Sequence, residues 1–360
     1  MLDFPASPII GQQFTAAGVT WIWDGAKWLP SGLSPTVAPG INDNRIVNGD
    51  MRIDQRGVAS SGGGMSGTAI GYTCDRWQFL ASLATIGGWG TGPNFTEFPN
   101  QLGFTSNLAY TLLANDYFTF MQVIEADMIS DFMWGTAQAK PITLSFRVNS
   151  TLTGTFGGAI RNVANTRSYP FTYSIPTANV WTPITLTIPG DTAGTWVMSG
   201  NAGSLQLIFA FGVGSTLSAP AGAWLNSPAI SANGAVSTVG TAGSQFFVTG
   251  VKLEIGSIAT PYNRQSLAKS MADCQRYYQT IGQAMLVSGY SAAGNNLYFP
   301  MPFPVVMRAV PTVAYTGIVY GNSSALAAGA VTANMVVNQC LATAVGLAYA
   351  QATASMSAEL

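Results

Sequence analysis

Histidine is absent from all 360 residues. That removes a Ser-His-Asp triad, a Cys-His dyad, a His-ligated zinc site and an HExxH helix at one stroke. Cysteine is nearly as scarce. Cys74, Cys274 and Cys340 are odd in number, far apart and match no metal-ligand spacing, so they are expected as small buried apolar residues with no metal and no cofactor. Charge is thin: 14 Lys and Arg stand against 15 Asp and Glu, 8% of the chain, with a net charge of −1. Cations spread singly cannot displace counterions from a phosphate backbone, so nucleic acid is not an expected partner. No GxxxxGK[ST] loop is present, and the glycine run at 61–67 has no lysine and opens no helical pattern, so it reads as a loop. No apolar run reaches 18 residues, which argues against membrane insertion by a helix. The opening MLDFPASPIIG carries neither the basic nor the apolar stretch of a secretory signal.

Apolar and small residues are plentiful instead: 48% hydrophobic, 40 glycines and a positive mean hydropathy. Residues 309–358 contain no charged side chain, and between Arg167 and Lys252 only Asp191 is charged. A surface so poor in charge predicts coverage by other copies or other proteins, hence an oligomer.

The chain turns around VKLEIGSIATPYNRQSLAKSMADCQRYYQ, Val251 to Gln279. Phe247, Val251, Leu253 and Ile255 share one parity, as in a strand with one buried face, and Pro261 forces the chain out of the sheet. Leu267, Met271, Cys274, Tyr278 and Ile281 then follow helical spacing, predicting about four turns whose narrow stripe packs on its own domain or forms a short parallel bundle at an oligomer axis. Upstream, VTWIWDGAKWL reads as a hairpin turning at Asp24-Gly25. A segment this short seldom buries three tryptophans, so Trp21, Trp23 and Trp28 are expected to dock on the main domain, a neighbouring copy or a larger particle, an attachment module being favoured. Alternation at 142–148, 184–188 and 205–213, with Gly, Asn, Ser and Pro between, predicts an antiparallel jelly-roll sandwich. Residues 284–360 predict a smaller β domain, although their alanine content leaves a helical tail open. The expected plan is an attachment segment and linker at 1–42, a sandwich at 43–263, a linking helix at 264–283 and a C-terminal β domain at 284–360. Asp75, Arg76 and Trp77 suit a buried ion pair under an aromatic, and Arg52, Asp54 and Arg56 suit another on a first strand.

Several words in this order resemble the fibre and adhesin-like structural proteins of tailed bacteriophages. They are NRIVNGDMRIDQRG at Asn44 to Gly57, YTCDRW at Tyr72 to Trp77, VKLEIGSIATPYNRQS running into CQRYY at Cys274 to Tyr278, VVMRAVPTV at Val305 to Val313, and the final AEL. The GVTWIWDGAKW hairpin is similar to their N-terminal attachment segments. Tyr262-Asn263-Arg264 departs from the pattern, standing where relatives often carry an aromatic followed by glutamate. The resemblance implies a virion protein made in the host cytoplasm, commonly a homotrimer, carrying a carbohydrate-binding-module-like jelly roll and a distal domain facing the host. It implies partners in other virion proteins and in a host-surface glycan or protein.

Sugar binding requires exposed aromatics beside amides or carboxylates. Trp89, Asn94 and Phe95 in the sandwich, and Tyr290, Asn295 and Tyr298 in the distal domain, are the candidates, together with Asn100 and Asn296. No catalytic residue is assigned. A glycan-cleaving reading would need two carboxylates from Glu97, Asp116, Glu125, Asp127 and Asp131, but there is no solenoid repeat to carry it. A purely architectural collar, baseplate or capsid-decorating role is the third expectation.

Overall fold

In the computed structural model, the described residues are 4–9, 12–16, 19–23, 28–30, 44–57, 69–93 and 97–360. The Asp24-Gly25 turn, the linker at 33–42, the glycine run at 61–67, and Asn94 and Phe95 lie outside them. The chain divides into two compact units, Met1–Asp43 and Asn44–Leu360.

The first unit is a three-stranded antiparallel sheet of β1 (Gln13–Ala16), β2 (Val19–Trp23) and β3 (Trp28–Pro30). Phe14 stands opposite Trp21, and Trp23 opposite Trp28, so pairing register places the four rings on one face. Phe4 lies over them, 5.3 Å from both Trp21 and Trp28. Even so, all five rings remain half-buried within this unit. Three strands without a second layer cannot enclose them.

The second unit is mainly β and opens with a two-sheet antiparallel sandwich of jelly-roll class. Its first sheet contains β4 (Ala69–Cys74), β5 (Trp77–Ala81), β8 (Tyr117–Glu125), β10 (Gly154–Asn162), β11 (Ser168–Ile175) and β13 (Gly203–Val213), in the order β11-β10-β13-β8-β5-β4. The second contains β6 (Gly87–Pro93), β7 (Asn100–Ser106), β9 (Ile142–Ser150), β12 (Thr182–Ile188) and β16 (Gln245–Ile255), in the order β12-β9-β16-β7-β6. Alternate residues of both sheets meet in a core rich in rings: Phe211 lies 4.4 Å from Phe104 and 5.0 Å from Phe120. The outer face of the six-stranded sheet is covered by Leu217 and Ile230, which pack on Met121 and Ile208. These come from a segment holding the short parallel pair β14 (Ser218–Ala219) and β15 (Ser231–Ala232).

Residues 44–57 form turns instead of the expected first strand. Asn48 and Met51 adopt left-handed conformations (φ 57° and 53°), and the Asn48 side chain bridges the carbonyls of Ile53 and Asp75, closing the turn against the sheet edge.

The helix α1 (Leu267–Gln275) is shorter than its apolar spacing predicts. Ser266 caps its start by accepting from the Lys269 N–H at 3.3 Å. It stops because Tyr278 already pairs with Ser357 as the first residue of β17 (Tyr278–Ser291). Tyr278 and Ile281 therefore belong to a strand and cannot extend a helical stripe.

Beyond β17 the elements are strands: β18 (Asn296–Pro302), β19 (Thr312–Gly321), β20 (Ser323–Val331), β21 (Met335–Ala342) and β22 (Gly346–Ser357). They complete two three-stranded sheets, β17-β22-β19 and β18-β21-β20. The alanines at 348, 350, 352 and 354 are fully buried and, with Met356, form the inner stripe of β22. Alternation at period two outweighs the helical propensity of alanine here.

Candidate functional site

One residue in β16 decides the site. The sequence parity of Phe247 with Val251 would bury both, but the register between β16 and β9 shifts between Thr249 and Lys252, where Gly250 takes a left-handed φ of 61°. This bulge inserts one extra residue, so Phe246 and Val248 point inward before it, and Val251 and Leu253 after it. Phe247 is thereby placed on the outer face of the five-stranded sheet. Its ring leans over Gly103, where a Cβ would come within 2.9 Å of it.

Pairing lays out the surroundings of this ring. Gly90, Gly103, Phe247 and Asn149 occupy one row across four strands, with Gly88, Thr105 and Gln245 in the next. Gln101 stands opposite Gly92. Among the described residues, a Cβ at Gly88 or Gly92 would meet nothing within 4 Å, so none of them covers the face beside the ring. Gln245 donates to the Thr105 hydroxyl at 3.3 Å, while Asn149 and Gln101 are half-exposed. At the far end, the same face is closed. Phe98 sits on Gly250, Arg147 pairs with Glu97 at 2.8 Å, and the buried Lys252–Glu254 pair bonds to Thr260. The result is an aromatic ring with amides and hydroxyls around it on an open, uncharged sheet, bounded at one end by an ion pair. Such a surface can stack the apolar face of a small polar molecule and hydrogen-bond its edges.

The sequence candidates fall elsewhere. Trp89 has the inward parity of β6 and is buried against Phe79, 6.0 Å between centroids, so it faces the core. Tyr290 and Tyr298 are exposed but belong to different sheets, β17 and β18, and Asn295 is exposed in the turn between those strands. Of the helical stripe, Leu267 is open, Met271 is half-buried and Cys274 is fully buried. Tyr278 lies under the Arg56 guanidinium at 3.7 Å. All three cysteines are free and buried. The acidic candidates are held separately: Glu97 by Arg147, Asp131 by Arg45 at 2.6 Å, and Glu125 by Arg276 at 2.9 Å. Asp116 accepts from Ser82, Tyr110 and the Leu113 N–H, and Asp127 begins a 3-10 turn.

The words that carry the family resemblance converge on a second, buried site. Arg56 pairs with Glu359 at 2.9 Å and with Asp75 at 3.4 Å, its guanidinium lying over Tyr72 and Tyr278. Arg76 also pairs with Glu359 and lies 3.6 Å over the Tyr277 ring. Glu125 holds Arg276, and Arg308 at 3.5 Å. These pairs run between distant segments, Arg56 reaching Asp75 and Glu359 and Arg76 reaching Glu359, because strand pairing brings those segments to one corner. Burial pushes the Asp75 carboxyl up to about 6, against hydrogen bonds from Gln55 and the charge of Arg56. Burial likewise raises Tyr277 to about 12. Burial alone would lower Arg76, but Glu359 and the neighbouring tyrosines outweigh it.

No family model matches this chain, nor does any curated protein. Among solved structures it is similar to the enzymatically active domain of bacteriophage CBA120 tailspike protein 4, at 15% identity and a TM-score of 0.31, over 59% of this chain and 22% of the tailspike chain. It is also similar to the CBM22-1 xylan-binding domain from Paenibacillus barcinonensis, at 8% identity and a TM-score of 0.28, over 52% of this chain and 91% of that one. A family 11 carbohydrate-binding module of a Clostridium thermocellum cellulosomal cellulase matches at 13% identity and a TM-score of 0.26, over 54% of this chain and 100% of the module.

Proposed function

We propose that this chain is a glycan-binding structural protein displayed on the outside of a tailed-phage particle, acting by binding and not by cleavage. The observation that carries the binding reading is the half-exposed Phe247 ring on the open face of a jelly-roll sheet, with Asn149, Gln101 and Thr105 beside it. An uncharged face of this kind fits a neutral sugar segment, whose ring stacks on the phenyl group while its hydroxyls meet the amides. The virion assignment rests on the ordered words from NRIVNGD to AEL. Attachment through Trp21, Trp23 and Trp28 is supported by five rings left half-buried in their own unit.

A homo-oligomer, a trimer by the same resemblance, is favoured by a separate observation. Tyr290, Leu347, Met285 and Val319 are all exposed on a distal unit without charge between 309 and 358. If that surface is fully consumed by assembly and Phe247 binds nothing, the architectural reading replaces the adhesin one. The deciding experiment is a glycan array probed with the wild type and Phe247→Ala. Selective retention of neutral glycans by the wild type, reduced at least tenfold in the variant, is expected. Equal binding by both proteins would remove this face from the function.

A further inference from the structure

The main sandwich and the distal β unit have separate apolar cores. Between them lie ion pairs, aromatic contacts and an apolar one, Leu360 packing on the cluster that holds Met121 and Val123. Glu359, just beyond β22, inserts between Arg56 and Arg76 of the main sandwich, with its side chain 7% exposed. Behind it, Arg308 donates to the carbonyls of Ala358 and Glu359, while the Ala358 N–H donates to the Tyr277 carbonyl at 2.8 Å. Among the described residues, Arg76 pairs with no other carboxylate. It is 2% exposed and sits in the β4–β5 turn at a left-handed φ of 73°, a conformation that a non-glycine residue keeps only when its surroundings hold it. Tyr277, stacked on that guanidinium, follows α1 directly.

We infer that Glu359 is a latch: its seating between Arg56 and Arg76 locks α1 and the distal unit onto the sandwich, and its release frees them without unfolding either core. Removing one partner of a buried pair leaves an uncompensated charge, which will draw water into the junction. The two apolar cores are separate clusters, and the latch requires both to stay closed in that step. For a displayed protein, such a latch sets whether the distal unit is a fixed extension or a swinging one.

The three native cysteines report on this directly, since Cys274 is buried in α1, Cys340 in the distal core and Cys74 in the sandwich. The full chain and Glu359→Gln are treated with iodoacetamide, and labelling of each cysteine is followed by peptide mass spectrometry. Cys274 is expected to react at least tenfold faster in the variant while Cys340 keeps its wild-type rate. Acceleration of both together, or of neither, overturns the latch. Should Glu359→Gln fail to fold, the double variant Arg76→Met/Glu359→Met, which removes the charge pair as a unit, decides. Exposed Cys274 with protected Cys340 in the double variant supports the latch, and wild-type protection of Cys274 there refutes it.

Discussion

The two β regions of the larger unit reach burial by opposite means. The main sandwich fills the space between its sheets with rings: Phe79, Phe104, Phe120, Phe211 and Phe246 touch in one network. The distal unit lays down a stripe of alanines at 348, 350, 352 and 354, with Leu286, Val287, Leu326 and Met356 as its larger buried members. Rings supply much apolar area per residue, so the sandwich gains a large core of its own. An alanine layer brings sheets close but buries little, and many larger apolar side chains of the distal unit remain outside, Tyr290 and Leu347 among them. A region built that way gains less apolar burial per residue, though its core is a separate cluster.

Breaking the ring network should have the largest effect. Phe211→Ala is expected to cost about 3–5 kcal/mol, read as a fall in the denaturant midpoint of the sandwich. The mirror experiment overfills the distal core: Ala352→Leu has no space to occupy and should cost about 1–3 kcal/mol, with the sandwich transition unmoved. If both substitutions shift a single common transition, the two cores are coupled more tightly than their separate packing suggests.

The ionic corner between them sharpens the comparison through pH. Asp75 titrates in the folded protein at about 6, above its ordinary 3.8, because burial disfavours its charge. A raised carboxyl pKa means that the folded state binds the proton more readily than the unfolded one. The Asp75 contribution to stability therefore grows as pH falls through 6 and levels off near 4. Asp75→Asn holds the group neutral and should erase this slope. It will stabilise the protein relative to wild type above pH 6 by less than roughly 3 kcal/mol, the full value of the shift, since the Arg56 pairing is lost. Equal pH profiles for the two proteins between 4 and 7 would contradict this. Asp191 provides the opposite sign: burial pushes its pKa up, but hydrogen bonds from Arg167 and Trp196 more than offset this and hold it low. Its contribution is present above the ordinary carboxyl range and is lost on acidification.

The smallest effect is expected on the distal surface. Tyr290→Ser with Leu347→Ser should change stability by no more than about 0.5 kcal/mol per site, yet lower the assembled fraction in sedimentation if that face meets other copies. An unchanged oligomer distribution would mean that assembly, if any, uses another surface.

Much of this architecture was legible beforehand because it is local. Alternation in 142–148 and 205–213 names strands, a missing histidine removes whole classes of catalysis, and the spacing of Leu267, Met271 and Cys274 names the helix α1. The five resemblance words were visible too, but not that Arg56, Arg76 and Tyr277 would gather around Glu359. Their separation along the chain hides a contact made only when β22 closes its sheet. The end of the helix was misread for a related reason: Tyr278 and Ile281 fit a helical stripe, and only pairing with Ser357 and Ala354 claims them for a strand.

Composition and periodicity by themselves thus determined a mainly β protein with few charges to spend, and the residue types able to hold a buried ion pair. Tertiary structure decided which face each residue occupies, since a strand's inside and outside are set by partners far away in sequence and a single bulge exchanges them. At Gly250 that exchange turns Phe247 out, while pairing opposite the buried Phe104 sets Trp89 facing in.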